Sequence, residues 1–220
     1  MNKNSNIRSI IYKKDTQLIK DVSELPHYIS YAKYLELREC IKNYYNKHLT
    51  RHRRFTIDRD LLLIDYLWET GLRISDCLSI KYENFNQSNR ILKVYIKKRR
   101  KYLDIPIDSK SDLIENTLIY MQKYNIKQDQ LLFNMTQQHA ARNIKKYGRL
   151  INIDNLHPHM FRHGLALYLL SQGVPIEVIS ARLGHSNTSI TRDIYLKVTP
   201  EIQAKIIGSK NIVFREELKK

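Results

Sequence analysis

The chain has 220 residues, 42% of them hydrophobic, which suits one domain of ordinary size with a core of its own. Lys and Arg number 38 against 22 Asp and Glu, a formal charge of +16 that makes a polyanion the leading partner. No apolar run approaches the roughly 18 residues of a membrane-spanning helix, and the opening MNKNSNIRSIIYKKD has no apolar secretion core, so a cytoplasmic, nucleoid-associated protein with no membrane partner is expected.

Residues 1–26 mix charges with short apolar pieces and read as an arm or an early strand. From His27 to about Leu49, the residues Tyr31, Tyr34, Leu35, Leu37, Ile41, Tyr44 and Tyr45 recur at threes and fours, which predicts a helix. RHRR, at 51–54, is expected to break it. Thr56 is then expected to cap a second helix, with Asp58 in its first turn and Gly71 at its stop. A short helix from Ile74 to Ile80 follows. The stretch RILKVYIKKRRKYLDIPI, 90–107, alternates apolar and basic residues around a basic tip and predicts a two-stranded hairpin. Helices are expected beyond it at about 109–124, 136–150, 159–172, 175–183, 188–196 and 200–208. The predicted class is mainly α with a small antiparallel β-sheet (α+β), without internal repeats. Cys40 and Cys77 have neither metal-ligand nor redox spacing and are expected to be reduced and structural.

Four segments hold polar residues beside apolar periodic runs. ETGLRISD puts Arg73 just past a helix stop; KVYIKKRRKYLDIP crowds Lys97, Lys98, Arg99, Arg100 and Lys101 at the hairpin tip. LHPHMFRHGLALYLL sets His159, Arg162 and His163 at helical spacing, and RLGHSNTSITRDIY adds His185 and Tyr195. Attack on a DNA phosphodiester calls for these types. Two Arg forks hold the charge of a pentacoordinate transition state, a histidine takes a tyrosine's proton near neutrality, and a lysine in cationic surroundings protonates the departing oxygen. Arg73 and Arg162 suit the first task, His159 or His185 the second, and Lys97 or Lys98 the third.

These blocks resemble the tyrosine recombinase (phage integrase) family. TGLRISD is similar to its first arginine box, HPHMFRHGLA to its His-x-x-Arg box, and LGHSNTSITRDIY to its Leu-Gly-His box followed by the nucleophilic tyrosine, over about residues 56–198. The resemblance implies a phosphate clamp of Arg73 and Arg162, proton transfer at His159, support of phosphate and nucleophile by His185, and attack by Tyr195 to give a 3′-phosphotyrosyl link. For the lysine, counting back from Pro106 gives Lys98 and counting forward from Arg73 gives Lys97; Lys98 is preferred. Asp76 stands where relatives usually have glutamate. The implied division is an N-terminal arm and helix at 1–50, readable as a remnant of the family's DNA-binding domain, a catalytic domain at 51–198, and a tail at 199–220 exchanged between protomers, as in short catalytic-domain-only members.

The resemblance further implies site-specific recombination of double-stranded DNA (integration, excision, resolution or inversion) by a homotetramer on two sites. Accessory DNA-bending proteins are conceivable partners, and neither cofactor nor metal is needed. Rival readings are a topoisomerase or telomere resolvase with the same chemistry, and a non-catalytic DNA-binding regulator with the same fold. His159 and His163 are four apart like metal ligands, but an arginine lies between them and no glutamate base does; His163 is expected to be a buttress. The basic residues Arg51, Arg53, Arg54, Lys97, Arg99, Arg100 and Lys101 are expected to meet DNA phosphates.

Overall fold

A computed structural model describes residues 27–43 and 49–185. Helix α1 spans Tyr31–Asn43 and α2 spans Arg51–Thr70. The RHRR run does not break a helix; it opens α2. The cap is Thr50, not Thr56: its side chain accepts from the Arg53 amide at 3.3 Å, so the first turn is fixed by a hydroxyl that precedes the four basic residues. Asp58 lies beyond that turn and meets Lys123 and the Tyr124 hydroxyl. Gly71 ends α2 as expected, with φ of 65° and its amide on the Leu67 carbonyl.

Helix α2 is the axis of the fold and packs against the other large helices. Ile57, Leu62, Leu63, Ile64, Tyr66, Leu67 and Trp68 are all buried along it, and truncating any one of the aliphatic side chains to Ala costs about 2–5 kcal/mol in such a setting. The charges buried on the same helix are paired. Asp65 accepts from Arg38 Nε at 2.6 Å and from the Tyr34 hydroxyl at 2.8 Å, and Asp60 accepts from Arg59, Asn143 and Tyr147.

After the short α3 (Ile74–Cys77), which stops before the expected Ile80, come β1 (Phe85–Asn86), β2 (Ile91–Ile96) and β3 (Lys101–Pro106) in one antiparallel sheet of order β1-β2-β3. The hairpin is thus present, and a third, two-residue strand joins it. Leu92, Val94, Ile96 and Ile105 face the core, which leaves the alternate residues of β2 outward. Helices α4 (Leu113–Tyr124), α5 (Gln137–Gly148), α6 (Pro158–Ser171) and α7 (Ile176–Leu183) complete the fold. The helices expected at 188–196 and 200–208, Tyr195 and the 199–220 tail lie outside the described residues, as does most of the 1–50 segment. No helix among the described residues is long and apolar enough to cross a membrane. Cys77 is buried and its thiol pKa is pushed up by desolvation, which suits a structural thiol.

Candidate active site

Three helix ends meet at one place. The left-handed turn at Gly71 stops α2 and delivers Arg73 as the extended N-cap of α3, half-buried and without a capping bond from its side chain. His157, held extended (φ −143°, ψ 161°) before Pro158, starts α6, so His159 falls in the first turn and Arg162 one turn later. Gly184, again left-handed, stops α7 and is followed by His185, whose amide donates to the Ser180 carbonyl.

Arg162 joins these ends. Only 5% exposed, it donates from Nη1 to the Gly71 carbonyl and from Nη2 to the Leu183 carbonyl, both at 2.7 Å. Both acceptors are C-terminal helix carbonyls, where a cation is favoured by the helix dipole. Two of the guanidinium's N–H groups are committed to these bonds, and about three remain of the five that a guanidinium carries. The nearby Arg73 makes no side-chain hydrogen bond or ion pair among the described residues.

The site is electropositive throughout. Burial and the Arg73 charge bring Arg162 down to about 10, despite the opposing carboxylate of Asp76. Burial, then Arg162, His157 and Arg73, lower the pKa of His159. Burial, then Arg162, Arg73, His163 and Arg99, push His185 down to about 4, and His163 falls to about 4 through burial, His159, Arg162 and His157. The imidazoles are therefore neutral near pH 7, and the positive charge of the site is that of its arginines. Such a cluster of mutually repelling cations is relieved by an anion, and a phosphodiester has the size and charge to do it. Among the described residues no three His, Cys, Asp or Glu side chains are grouped to hold a metal ion.

A cleft of about 890 Å³ runs beside these residues, lined in part by His157, His159 and Lys97. The hairpin tip, residues 97–101, is wholly exposed and turns through Arg100, whose φ is 51°. Lys97 is on the cleft wall, whereas Lys98, its neighbour on the exposed crown of the hairpin, does not line the cleft. Arg99 is near enough for its charge to act on His185. Arg51, Arg53 and Arg54 are also exposed, but they occupy the first turn of α2, whose 20 residues place them about 30 Å from the Arg73 end. The sequence reading missed the opposite wall of the cleft, formed by Thr136, Gln137 and Gln138 at the start of α5. Thr136 caps that helix through the His139 amide, so the polar T-Q-Q run ahead of a periodic segment was the available clue. It also missed that the Asp76 carboxylate, 1% exposed, reaches the amide of Lys97.

Known proteins share the sequence pattern and the fold of this chain. The sequence model of the Phage integrase family matches residues 34–201. Tyrosine recombinase XerA of Pyrococcus horikoshii is 34% identical over 166 residues, covering 70% of this chain and 56% of that protein. A tyrosine recombinase of Pseudothermotoga lettingae is 32% identical over 148 residues, covering 65% and 51%. The chain spans about half the length of the curated relatives it matches. Among solved structures, the XerA recombinase superposes with a TM-score of 0.68 at 19% identity, over 87% of this chain and 67% of that one. The XerH site-specific recombinase, bound to palindromic difH substrate in a post-cleavage complex, gives 0.66 at 20% identity, over 84% and 53%. With an integrase pattern running through α1 to the site and onward, and with the mainly helical fold of these recombinases around a small antiparallel sheet, this chain belongs to the phage integrase family.

Proposed function

We propose that the chain cleaves and rejoins double-stranded DNA as a site-specific tyrosine recombinase. The observation that carries this reading is the convergence of Arg73, Arg162, His159 and His185 on one electropositive site beside an open cleft. Arg73 and the uncommitted N–H groups of Arg162 hold the non-bridging oxygens of the scissile phosphate and meet the charge that grows on them in the transition state. The Tyr195 hydroxyl attacks phosphorus, and its proton passes to a neutral imidazole, His159 or His185. The bond from phosphorus to the 5′ oxygen breaks as the phosphotyrosyl bond forms at the 3′ end. A proton from the hairpin tip goes to the departing oxygen.

Lys98 is our donor for that proton, on its spacing to Pro106 and its place at the crown, where it is free to reach a bound backbone. Lys97, on the cleft wall, is the neighbour against which it must be tested. The phosphotyrosyl ester keeps the bond energy of the broken phosphodiester, so an incoming 5′ hydroxyl reseals the strand by the reverse steps. Exchange between two sites calls for four protomers on two duplexes, aided where the sites require it by DNA-bending proteins.

The test is to mix the protein with fragmented genomic DNA of its source in EDTA, denature with detergent and sequence the DNA that stays attached. One recurring sequence, joined covalently without metal or nucleotide, is the expected result. Retarded fragments with no covalent product would instead support a DNA-binding regulator.

A further inference from the structure

The outward face of the β2–β3 hairpin carries aromatic rings that the fold does not bury. Tyr95 and Tyr102 are cross-strand partners, with ring centroids 5.3 Å apart and planes at 62°, and they stay 42% and 65% exposed. A cross-strand aromatic pair helps to fix the register of a hairpin, but rings this exposed bury little of their area in doing so. Lys93, on the same face, holds its ammonium 5.4 Å from the centroid of Tyr102. It makes no ion pair among the described residues, although Asp104 lies opposite it in the register. Beside these side chains is an open hollow of about 640 Å³, which shares no residue with the cleft that holds His157 and His159. Tyr102 and Lys93 line one side of it, and Asn84, Asn86, Gln87 and Ser88, around β1, line the other. Asn84 and Asn86 use Oδ1 to accept the backbone amides of Lys81 and Asn89, and their Nδ2 groups have no partner among the described residues. Glu83, the carboxylate of the hollow, is paired with Lys81 at 3.1 Å.

An exposed ring, a cation beside it and a row of amides and a hydroxyl meet the needs of an unpaired nucleotide: a surface on which the base stacks, a charge for its phosphate, and hydrogen-bond partners for its edge. In a duplex both faces of a base are taken by its neighbours, so the ligand that suits this face is single-stranded. The face also starts where the basic tip ends. Tyr102 follows Lys101 directly, and the tip adjoins the cleft through Lys97. Cleavage at the cleft frees a 5′ end, and its bases lose their partners as that strand leaves its duplex.

We propose that the outer face of the hairpin is a single-strand site, which receives the unpaired bases of the released 5′ end by stacking them on Tyr102, with Lys93 at their phosphate. This rests on the recombinase reading. A strand held there stays close to the phosphotyrosyl bond, so the face raises the local concentration of the 5′ hydroxyl that reseals it. Tyr102 and Lys93 touch none of the reacting atoms and act on the strand alone.

The experiment has two arms, both with the full chain. In the first, the protein is titrated with a short fluorescent oligodeoxyadenylate and with an abasic strand of the same length and charge. Tyr102→Ala should bind the base-bearing strand about tenfold more weakly and the abasic strand as the parent does, while Tyr102→Phe, which keeps the ring, should match the parent on both. In the second, the phosphotyrosyl complex formed on the recovered target is given a complementary 5′-hydroxyl strand below saturation, and Tyr102→Ala should rejoin it about tenfold more slowly. Thermal melting of each variant checks that it is folded. If Tyr102→Ala loses equally on the abasic strand, or loses nothing on the base-bearing one, the ring holds no base and the inference is wrong. If it weakens the oligonucleotide yet rejoins as fast as the parent, the released 5′ end is not the ligand and the inference is equally wrong. A parent protein that forms no phosphotyrosyl complex contradicts the recombinase reading itself, and the inference falls with it.

Discussion

Arg162 reaches across 91 positions of sequence to donate to the carbonyl of Gly71, at 2.7 Å. The residue that stops the central helix thus supplies an acceptor for the cation that the site is built around. Fold and clamp share an atom, and substitutions near it should show in both.

Gly71 cannot carry a side chain. Its φ is 65°, and a Cβ would lie 2.5 Å from Leu183 Cδ2 and 2.9 Å from Leu165 Cδ2. Gly71→Ala should cost about 2–4 kcal/mol, from the left-handed backbone and the overpacking together. The midpoint of urea unfolding measures this, and cleavage should fall in the same variant because the Arg162 acceptor moves.

Arg162→Lys keeps the charge but cannot span the Gly71 and Leu183 carbonyls and still present a fork to phosphate. Cleavage should drop about 10²–10³-fold while DNA affinity changes far less, since the geometry is needed chiefly in the transition state. Single-turnover cleavage and a binding titration separate the two effects.

Protons and stability are linked at His163 and His185, each held at about 4 against an ordinary 6.5. Between these values the unfolded chain binds more protons than the folded one, so stability is retained above about 6.5 and declines as pH falls toward 4. His163→Gln should flatten part of that decline in Tm. Phosphate binding raises the same imidazoles, so DNA affinity should strengthen as pH falls through this window while the fold holds. Calorimetric melts and binding at a series of pH values check the two signs.

The two basic clusters should differ in their share of DNA binding. The hairpin tip adjoins the cleft, and Arg51, Arg53 and Arg54 lie at the far end of α2. Neutralising Arg99 or Arg100 should lower the slope of log affinity against log salt by about 1. Arg53→Ala and Arg54→Ala, at the far end of α2, should lower the slope by less than that; an equal decrement would show that this end follows the DNA backbone as closely as the hairpin tip does.

Much of this was legible in sequence because the informative residues are local. Gly71 after an apolar helix, Pro158 before HMFRH and the alternation in 91–96 each specify their own turn, start or strand. RHRR has the composition of a break, yet the cap hydroxyl of Thr50 lies just ahead of it and lets α2 begin with exposed charges. The strand Phe85–Asn86 is too short to show a period of two. Arg162's carbonyl partners and the burial of Asp76 are tertiary facts, made by helix ends that sequence places far apart. Lys97 and Lys98 are adjacent and chemically alike, so only placement in the fold distinguishes wall from crown.

The most direct measurement of the central claim is the identity of the residue joined to DNA. The covalent complex would be trimmed with nuclease, digested with protease and its nucleotide-bearing peptide sequenced by mass spectrometry, with Tyr195→Phe in parallel. The account predicts one nucleotide joined through its 3′-phosphate to Tyr195, and no adduct from the variant, which still binds DNA. An adduct on another residue, a 5′ linkage, or an undiminished adduct from Tyr195→Phe would contradict it.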